Sequence, residues 1–274
     1  MTPTIAVISA GAMGSAVGAR LAANGAHVLT SLTGRSEPTI ARARAANMQP
    51  ASDADLVAAD LFLSIVPPDQ ALPLATWFAA QMRGANTHPI YVDLNAINPA
   101  TARDVAATIT RSGARFVDGS IIGHPPRPNT TGTTFYLSGP DAPSAAPLAE
   151  HGLAIKTLTG DIGAASALKM TYAGLTKGFS ALGAAMILAA QREGAAEALA
   201  AELAISQPEM LARLTRGIPD MLPKAYRFAP EMEQIAAFLG PQDPASAIYQ
   251  AMAALYAQIA QDPDLGESLK QFVS

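Results

Sequence analysis

Residues 4–36 read TIAVISAGAMGSAVGARLAANGAHVLTSLTGRS. Thr4–Ile8 is a short apolar run of strand type. Gly11 and Gly14 follow at once, and Ser15–Leu21 then has helical spacing. A strand that stops at a glycine turn and restarts as a helix aims the helix N-terminus, with its unpaired N–H groups, at one point. That point is an anion site, and after an N-terminal strand the anion that fits is a dinucleotide pyrophosphate. The turn residues Ser9, Gly11, Ala12, Met13 and Gly14 are the candidates for holding it. Gly11 is read as letting backbone approach the phosphates, Gly14 as allowing close helix–strand packing, and Gly18 as keeping the helix near the sheet. Ser9 stands where the full fingerprint has its first glycine, so the pattern is S-x-G-x-x-G.

The chain has 274 residues, half of them hydrophobic, which predicts one large or two ordinary domains with a sizeable core. Its net charge of −4 comes without a basic stripe, which argues against nucleic acid as a partner. The absence of cysteine excludes disulfides, thiol nucleophiles and Cys-ligated metals, and no metal site is expected. It is compatible with a cytoplasmic protein. Met1-Thr2-Pro3 leads into the first strand without a signal-peptide pattern. The longest apolar stretch, Ala181–Ala190, is too short to span a bilayer, so no membrane association is expected.

Strands and helices alternate to about residue 160. Ala26–Leu32 reads as the second strand, Glu37–Asn47 as a helix capped by Ser36, and Met48–Pro50 as a short third strand. Leu61–Val66 is a buried strand ended by Pro67-Pro68, and Pro68 starts a helix through Met82. Ile90–Leu94 is a strand, Pro99–Ser112 a helix, and Ala114–Ile122, Thr133–Ser138 and Leu153–Leu158 complete the strands. This alternation predicts an α/β domain with a doubly wound sheet over residues 1–161, ligands binding at the carboxyl ends of the strands. Residues 162–274 read as an all-helical domain. Its long first helix, Asp161–Gly194, carries Ile162, Leu168, Leu175, Phe179, Leu182, Met186 and Ala190 on its apolar side. Helices at Ala195–Ile205, Pro208–Arg216, Pro230–Leu239, Pro244–Gln261 and Leu265–Phe272 follow.

A dinucleotide domain selective for NAD places Asp or Glu at the end of its second strand to hold the ribose hydroxyls. Here Thr33-Gly34-Arg35-Ser36 occupies that region, and no carboxylate occurs before Glu37. The guanidinium of Arg35 and the hydroxyls of Thr33 and Ser36 suit a 2′-phosphate, which points to NADP(H). The competing reading is a solvated arginine beside a helix cap.

Hydride transfer from an alcohol needs a general acid/base near the nicotinamide. The long helix offers Lys169, Tyr172, Thr176, Lys177 and Ser180 at helical spacing. A polar stripe on an apolar helix reads as a cleft wall; two lysines snorkelling to water explain it equally well.

Five segments together resemble the 6-phosphogluconate dehydrogenase and β-hydroxyacid dehydrogenase superfamily. They are G-A-M-G at 11–14, S-I-V-P at 64–67, D-L-N-A-I-N-P at 93–99, V-D-G-S-I-I-G at 117–123 and G-A-A-S-A-L-K-M at 163–170. The resemblance implies a Rossmann domain followed by a helical domain like the C-terminal domain of 6-phosphogluconate dehydrogenase, through which members commonly form homodimers. It implies that Ile65, Val66 and Pro67 touch the cofactor and that Lys169 is the catalytic lysine. A neighbouring Lys177 and an apolar surface would lower its pKa. Asn95 would contact substrate or the nicotinamide carboxamide, or else cap the helix at Pro99.

Three departures accompany the resemblance. Ser9 replaces a glycine. Ala173, preceded by Tyr172, stands where the family has Asn. Ile122-Gly123-His124 occupies the place of the substrate-binding Ser-Gly-Gly, which puts the usual 3-hydroxy acid in doubt and leaves Ser120 and His124 as polar candidates. Specificity is expected in the loop at 118–128. The runs at 117–123 and 136–139 also resemble imine reductases, which share the fold. In K-A-Y-R-F-A-P-E-M-E at 224–233, Lys224 and Arg227 could bind a substrate anion, with Glu231 paired to them and Met232 lining the pocket; a solvated helix junction is the alternative. Thr176 and Lys177 complete the substrate candidates. The functional expectation is an NADP(H)-dependent dehydrogenase or reductase acting on a hydroxy acid, alcohol or carbonyl. An imine reductase and a non-catalytic NADP(H) sensor are the alternatives.

Overall fold

The structure is a computed structural model that describes residues 2–83, 87, 89–127 and 132–273. Its contacts divide the chain into two compact units, Met1–Lys169 and Met170–Ser274.

In the first unit, β1 (Thr4–Ile8), β2 (His27–Thr30), β3 (Gln49–Pro50), β4 (Leu61–Ser64), β5 (Ile90–Asp93), β6 (Arg115–Ile122), β7 (Thr134–Ser138) and β8 (Ala154–Thr157) form one sheet. Its order is β3-β2-β1-β4-β5-β6-β7-β8. The strands from β3 to β6 are parallel; β7 is antiparallel to β6, and β8 is parallel to β7. The order reverses between β1 and β4, which opens a crevice at their carboxyl ends.

Helices α1 (Ala12–Ala23), α2 (Glu37–Ala45), α3 (Asp53–Val57), α4 (Ala71–Gln81), α5 (Pro99–Arg111) and α6 (Ala142–Ala145) connect the strands. The sequence reading missed the short α3 and α6; α3 is held by a capping box between Ser52 and Asp55. Period-two alternation sends Ile5, Val7, Leu63, Val92 and Val117 into one core, with α1 residues Val17 and Leu21. The opposite face carries Phe62, Tyr91 and Phe116 with Phe78 of α4. There Tyr91 stacks between Phe62 and Phe116, with ring centroids 5.1 and 6.2 Å away.

Helix α7 (Ala164–Arg192) carries the chain from the first unit into the second. The second unit adds α8 (Ala196–Ser206), α9 (Pro208–Met221), α10 (Ala225–Leu239), α11 (Pro244–Gln261) and α12 (Pro263–Val273). Pro230 lies inside α10 and does not begin it, since the helix starts at Ala225. The expected apolar side of α7 holds at Phe179, which packs on the helical core, and fails at three other large residues. Ala173, Ala181, Ala184 and Ile187 enter the core, whereas Leu175, Leu182 and Met186 are exposed. Small residues let neighbouring helices approach closely: a Cβ on Gly183 would overlap Leu214 of α9, and one on Gly174 would lie 2.9 Å from the Tyr249 hydroxyl of α11. Ile162 lies before the helix and packs on the Phe62 face of the sheet. By length and composition α7 could cross a bilayer, which corrects the reading from Ala181–Ala190 alone; the core helix of a soluble protein passes the same test.

Candidate cofactor and proton-transfer site

The turn after β1 and the loop after β4 are joined at the crevice. Ser9 N–H donates to the Ile65 carbonyl at 3.2 Å, and Ile65 N–H donates to the carbonyl of Ile8. Gly11 is the N-cap of α1, no side chain caps that helix, and its first turn holds no acidic residue. Its terminal N–H groups are therefore available to an anion. Gly14 faces the backbone of Ser9, where a Cβ would overlap the Ser9 carbonyl oxygen. Gly11 is different: the nearest atom to its would-be Cβ is Ser9 Oγ at 4.0 Å, so the space over it is open to a ligand. Gly18 faces the Met48 side chain, 2.7 Å from its would-be Cβ, and so makes room for Met48.

Thr33, Gly34, Arg35 and Ser36 form an exposed turn beyond β2. Gly34 supplies a φ of +70°, and Arg35 N–H closes the turn on the Leu32 carbonyl at 3.2 Å. Ser36 is the N-cap residue of α2, but its hydroxyl meets Thr39 Oγ1 at 3.1 Å and makes no cap bond. The structure adds Arg42, which the sequence reading passed over. Its guanidinium donates to the Ala10 carbonyl at 3.3 Å and to Thr39 Oγ1 at 2.8 Å. A second cation therefore stands at the glycine turn.

The loops after β4 and β5 are locked by Asn95. Its Oδ1 accepts Val66 N–H at 2.7 Å, and its Nδ2 donates to Ser64 Oγ at 2.8 Å and Asp93 Oδ2 at 3.0 Å. Its own N–H donates to Asp93 Oδ1 at 2.9 Å. Both amide hydrogens of Asn95 thus have partners within the chain. The cap of α5 is Asn98, whose side chain accepts Thr101 N–H at 2.9 Å. Pro67 follows Val66 and precedes the 3₁₀ turn Pro68–Gln70 that leads into α4.

The start of α7 is tied to β6 by a buried carboxylate. Asp118 Oδ2 accepts the N–H groups of Gly163, Ala165 and Ser166 at 2.9, 3.0 and 3.3 Å and the Ser138 hydroxyl at 2.7 Å. Its Oδ1 accepts the Ser166 hydroxyl at 2.6 Å. Negative charge is at home at a helix N-terminus. One turn further on, Lys169 Nζ donates to the Ile121 carbonyl at 2.7 Å. Burial lowers the Lys169 pKa below its usual 10.5. Of the two causes that the sequence suggested, burial by apolar surroundings is the one that acts, and the charge of Lys177 is not among the causes. Ser120, adjacent to Ile121 on β6, is fully buried, and its hydroxyl has no hydrogen-bond partner among the described residues.

The remaining candidates occupy other settings. Ile122 ends β6 opposite Thr134. Gly123, at φ +121°, lies where a Cβ would come 2.9 Å from Thr133 Cα, so only glycine lets the return strand pass. His124 is exposed, and its carbonyl accepts the Thr133 hydroxyl. Pro128, where the expected specificity loop ends, lies outside the described residues. Thr176 and Ser180 hydroxyls bond back to α7 carbonyls at 2.8 and 3.4 Å. Tyr172 is half-exposed. Lys177 pairs with Glu231 and stands 4.5 Å from the Phe228 ring centroid. Glu231 therefore serves Lys177, and Lys224 pairs with Asp220. Arg227 is exposed, and Met232 is wholly buried in the helical core, which removes it from any pocket wall.

A reversed strand order, an uncapped helix terminus at the crevice and a glycine held against backbone define a dinucleotide-binding protein of the Rossmann class. The chain belongs to the 6-phosphogluconate dehydrogenase and β-hydroxyacid dehydrogenase superfamily: the model of the NAD binding domain of 6-phosphogluconate dehydrogenase matches residues 4–148. A domain of unknown function (DUF1932) matches residues 190–259. An uncharacterized 28.5 kDa protein of Methanothermus fervidus is 32% identical over 157 residues, and the match spans 57% of this chain and 58% of that protein. Among solved structures, the conserved protein MTH1747 of unknown function, described as structurally similar to 3-hydroxyacid dehydrogenases, is 28% identical. It superposes with a TM-score of 0.75 over 96% of this chain and 99% of its own. The 3-hydroxyisobutyrate dehydrogenase of Mycobacterium tuberculosis shares the fold at 17% identity, with a TM-score of 0.72 over 99% of each chain. An imine reductase of Myxococcus stipitatus, solved with NAD+, shares it at 22% identity, with a TM-score of 0.60 over the whole of both chains.

Proposed function

We propose that the protein is an NADP(H)-dependent oxidoreductase that moves a hydride between the nicotinamide and a small hydroxy acid or alcohol, or the matching carbonyl compound. The observation that carries this reading is the desolvated Lys169 amine, fixed at 2.7 Å on the Ile121 carbonyl of β6, the strand that also carries the buried Ser120, whose hydroxyl has no partner among the described residues. The turn residues fit a dinucleotide, because the space over Gly11 is open and no side chain caps α1. When bound, the cofactor supplies or accepts the hydride. In oxidation the neutral Lys169 amine takes the proton of the substrate hydroxyl; in reduction the ammonium returns it to the carbonyl oxygen. Desolvation favours the neutral amine and so brings Lys169 nearer to a working acid/base. Arg35 and Arg42, with no carboxylate at the end of β2, support the phosphorylated cofactor. The exposed Leu175, Leu182 and Met186 of α7 support a homodimer, and the cysteine-free composition suits the cytoplasm.

Titration with NADPH and NADH tests the cofactor. Tighter binding of NADPH, lost in Arg35→Ala, is expected, and equal affinities overturn the phosphate reading. NADPH oxidation across keto acids, aldehydes, ketones and cyclic imines tests the reaction. Turnover with imines alone replaces the carbonyl reading with imine reduction. Tight cofactor binding with no turnover on any class favours a sensor.

A further inference from the structure

The register aligns four polar residues across the sheet: Ser64 beside Asp93, Asp93 beside Asp118, and Asp118 beside Ser138. All four are wholly buried, on the face that carries Phe62, Tyr91 and Phe116 two residues earlier in their strands. The two carboxyl groups are provided for unequally. Asp118 receives five donors from Gly163, Ala165, Ser166 and Ser138. Asp93 receives two, both from Asn95. No described ion pair includes Asp93. The titratable group acting on it is Asp118 on β6, and Asp93 in turn raises the pKa of Tyr91 on its own strand.

Both oxygens of Asp93 hold Asn95, and Asn95 in turn holds Ser64 Oγ and Val66 N–H. Ile65, between them, is bonded to the β1 turn through Ile8 and Ser9, and the Ser9 carbonyl is the surface against which Gly14 packs. Asp93 thus stands at the root of a chain of bonds that ends at the crevice. We propose that Asp93 is a positioning residue for the dinucleotide: through Asn95 it fixes the loop after β4, and it loosens that loop when it takes up a proton.

A protonated Asp93 is no longer charged and carries an O–H on one of its two oxygens, so the hydrogen bonds that it accepts from Asn95 weaken. Burial, with the nearby Asp118 adding to it against the hydrogen bonds from Asn95, pushes the Asp93 carboxyl up to about 7, so the change falls in an accessible range. The role rests on the proposed cofactor reading and is tested on binding alone. NADPH affinity is measured by cofactor fluorescence at pH 6 and pH 8.5 for the wild type, Asp93→Asn, Asn95→Ala and the double variant. The wild type is expected to bind about tenfold more weakly at pH 6, from the weakening of the hydrogen bonds to a buried carboxylate. Asp93→Asn should bind weakly at both pH values, keeping only the smaller dependence that comes from the cofactor phosphate. Its effect should be clearly smaller in the Asn95→Ala background, because the side-chain amide is gone and only the backbone N–H of that position still reaches residue 93. A wild-type affinity that does not change with pH overturns the proposal, whether or not the variants fold. So does an undiminished effect of Asp93→Asn without Asn95. If the wild type binds neither NADPH nor NADH, the cofactor reading itself fails and takes this role with it.

Discussion

Lys169 Nζ donates to the carbonyl oxygen of Ile121 at 2.7 Å, which ties the second turn of α7 to the last residues of β6. The amine is thereby held by backbone, and its position does not depend on another side chain's rotamer. Replacing Lys169 by Ala should lower turnover by about 10²–10⁴ while leaving NADPH affinity nearly intact. In the oxidative direction, wild-type kcat/KM should rise with pH through a limb below 10.5, because burial lowers the pKa of this lysine. Steady-state pH profiles check both points, and unchanged turnover in Lys169→Ala removes the lysine from the chemistry.

Gly11 and Gly14 should respond differently to the same methyl group. Gly14→Ala forces a Cβ into the Ser9 carbonyl, a backbone atom that cannot swing away, so stability should fall by about 1–3 kcal/mol and dinucleotide binding should be lost. Gly11→Ala meets only Ser9 Oγ, at 4.0 Å, so the fold should survive while the new methyl obstructs the ligand. Thermal melts and NADPH titration separate the two. Equal loss of stability in both variants would contradict the open space over Gly11.

Asp118→Ala should destabilise the first unit by at least about 3 kcal/mol, since several buried donors at the start of α7 lose their acceptor together. Amide exchange should show the damage first at Gly163–Ser166. A melt within about 0.5 kcal/mol of wild type would mean that water replaces the carboxylate without penalty.

Asp93 should make stability depend on pH with a sign opposite to that of a salt-bridged carboxylate. Its pKa is raised from 3.8 to about 7 on folding, so between those values the folded chain binds more protons than the unfolded one. This group's contribution is most favourable below pH 3.8, declines as pH rises, and levels off above about 7. The stability of Asp93→Asn relative to wild type should therefore improve from pH 4.5 to 7.5 in urea titrations. A flat difference would place Asp93 in a better solvated setting.

The glycine turn, the parallel strands and the helical second half were legible because each is written in local pattern: Thr4–Ile8 before Gly11, Leu61–Ser64 before Pro67, and helical periods after Gly163. Lys169 came from a resemblance spread over five segments; the hydrogen bond that holds its amine on the Ile121 carbonyl is visible only in the fold. The roles of Asp93 and Asp118 were not legible, although a carboxylate ending the apolar runs I-Y-V-D and F-V-D was a visible clue. Neither strand names its neighbour, so the pairing of Asp93 with Asp118 exists only once the register is set. The same holds for Lys177, whose partner Glu231 lies far along the chain, and for Met232, which has the same apolar character whether it lines a pocket or fills a core.

The sequence by itself determined the fold class, the glycine turn after β1 and the missing carboxylate after β2, since these depend on residues within a few positions of one another. Tertiary structure alone decided which face of α7 is core. Hydrophobicity favours burying Leu175, Leu182 and Met186, but packing buries Ala173, Ala181 and Ala184, because only small side chains permit the close approach of neighbouring helices. It also decided where the Asn95 side chain is held: both amide hydrogens are donated to Ser64 and Asp93, and its Oδ1 accepts Val66 N–H, so it braces the loop after β4.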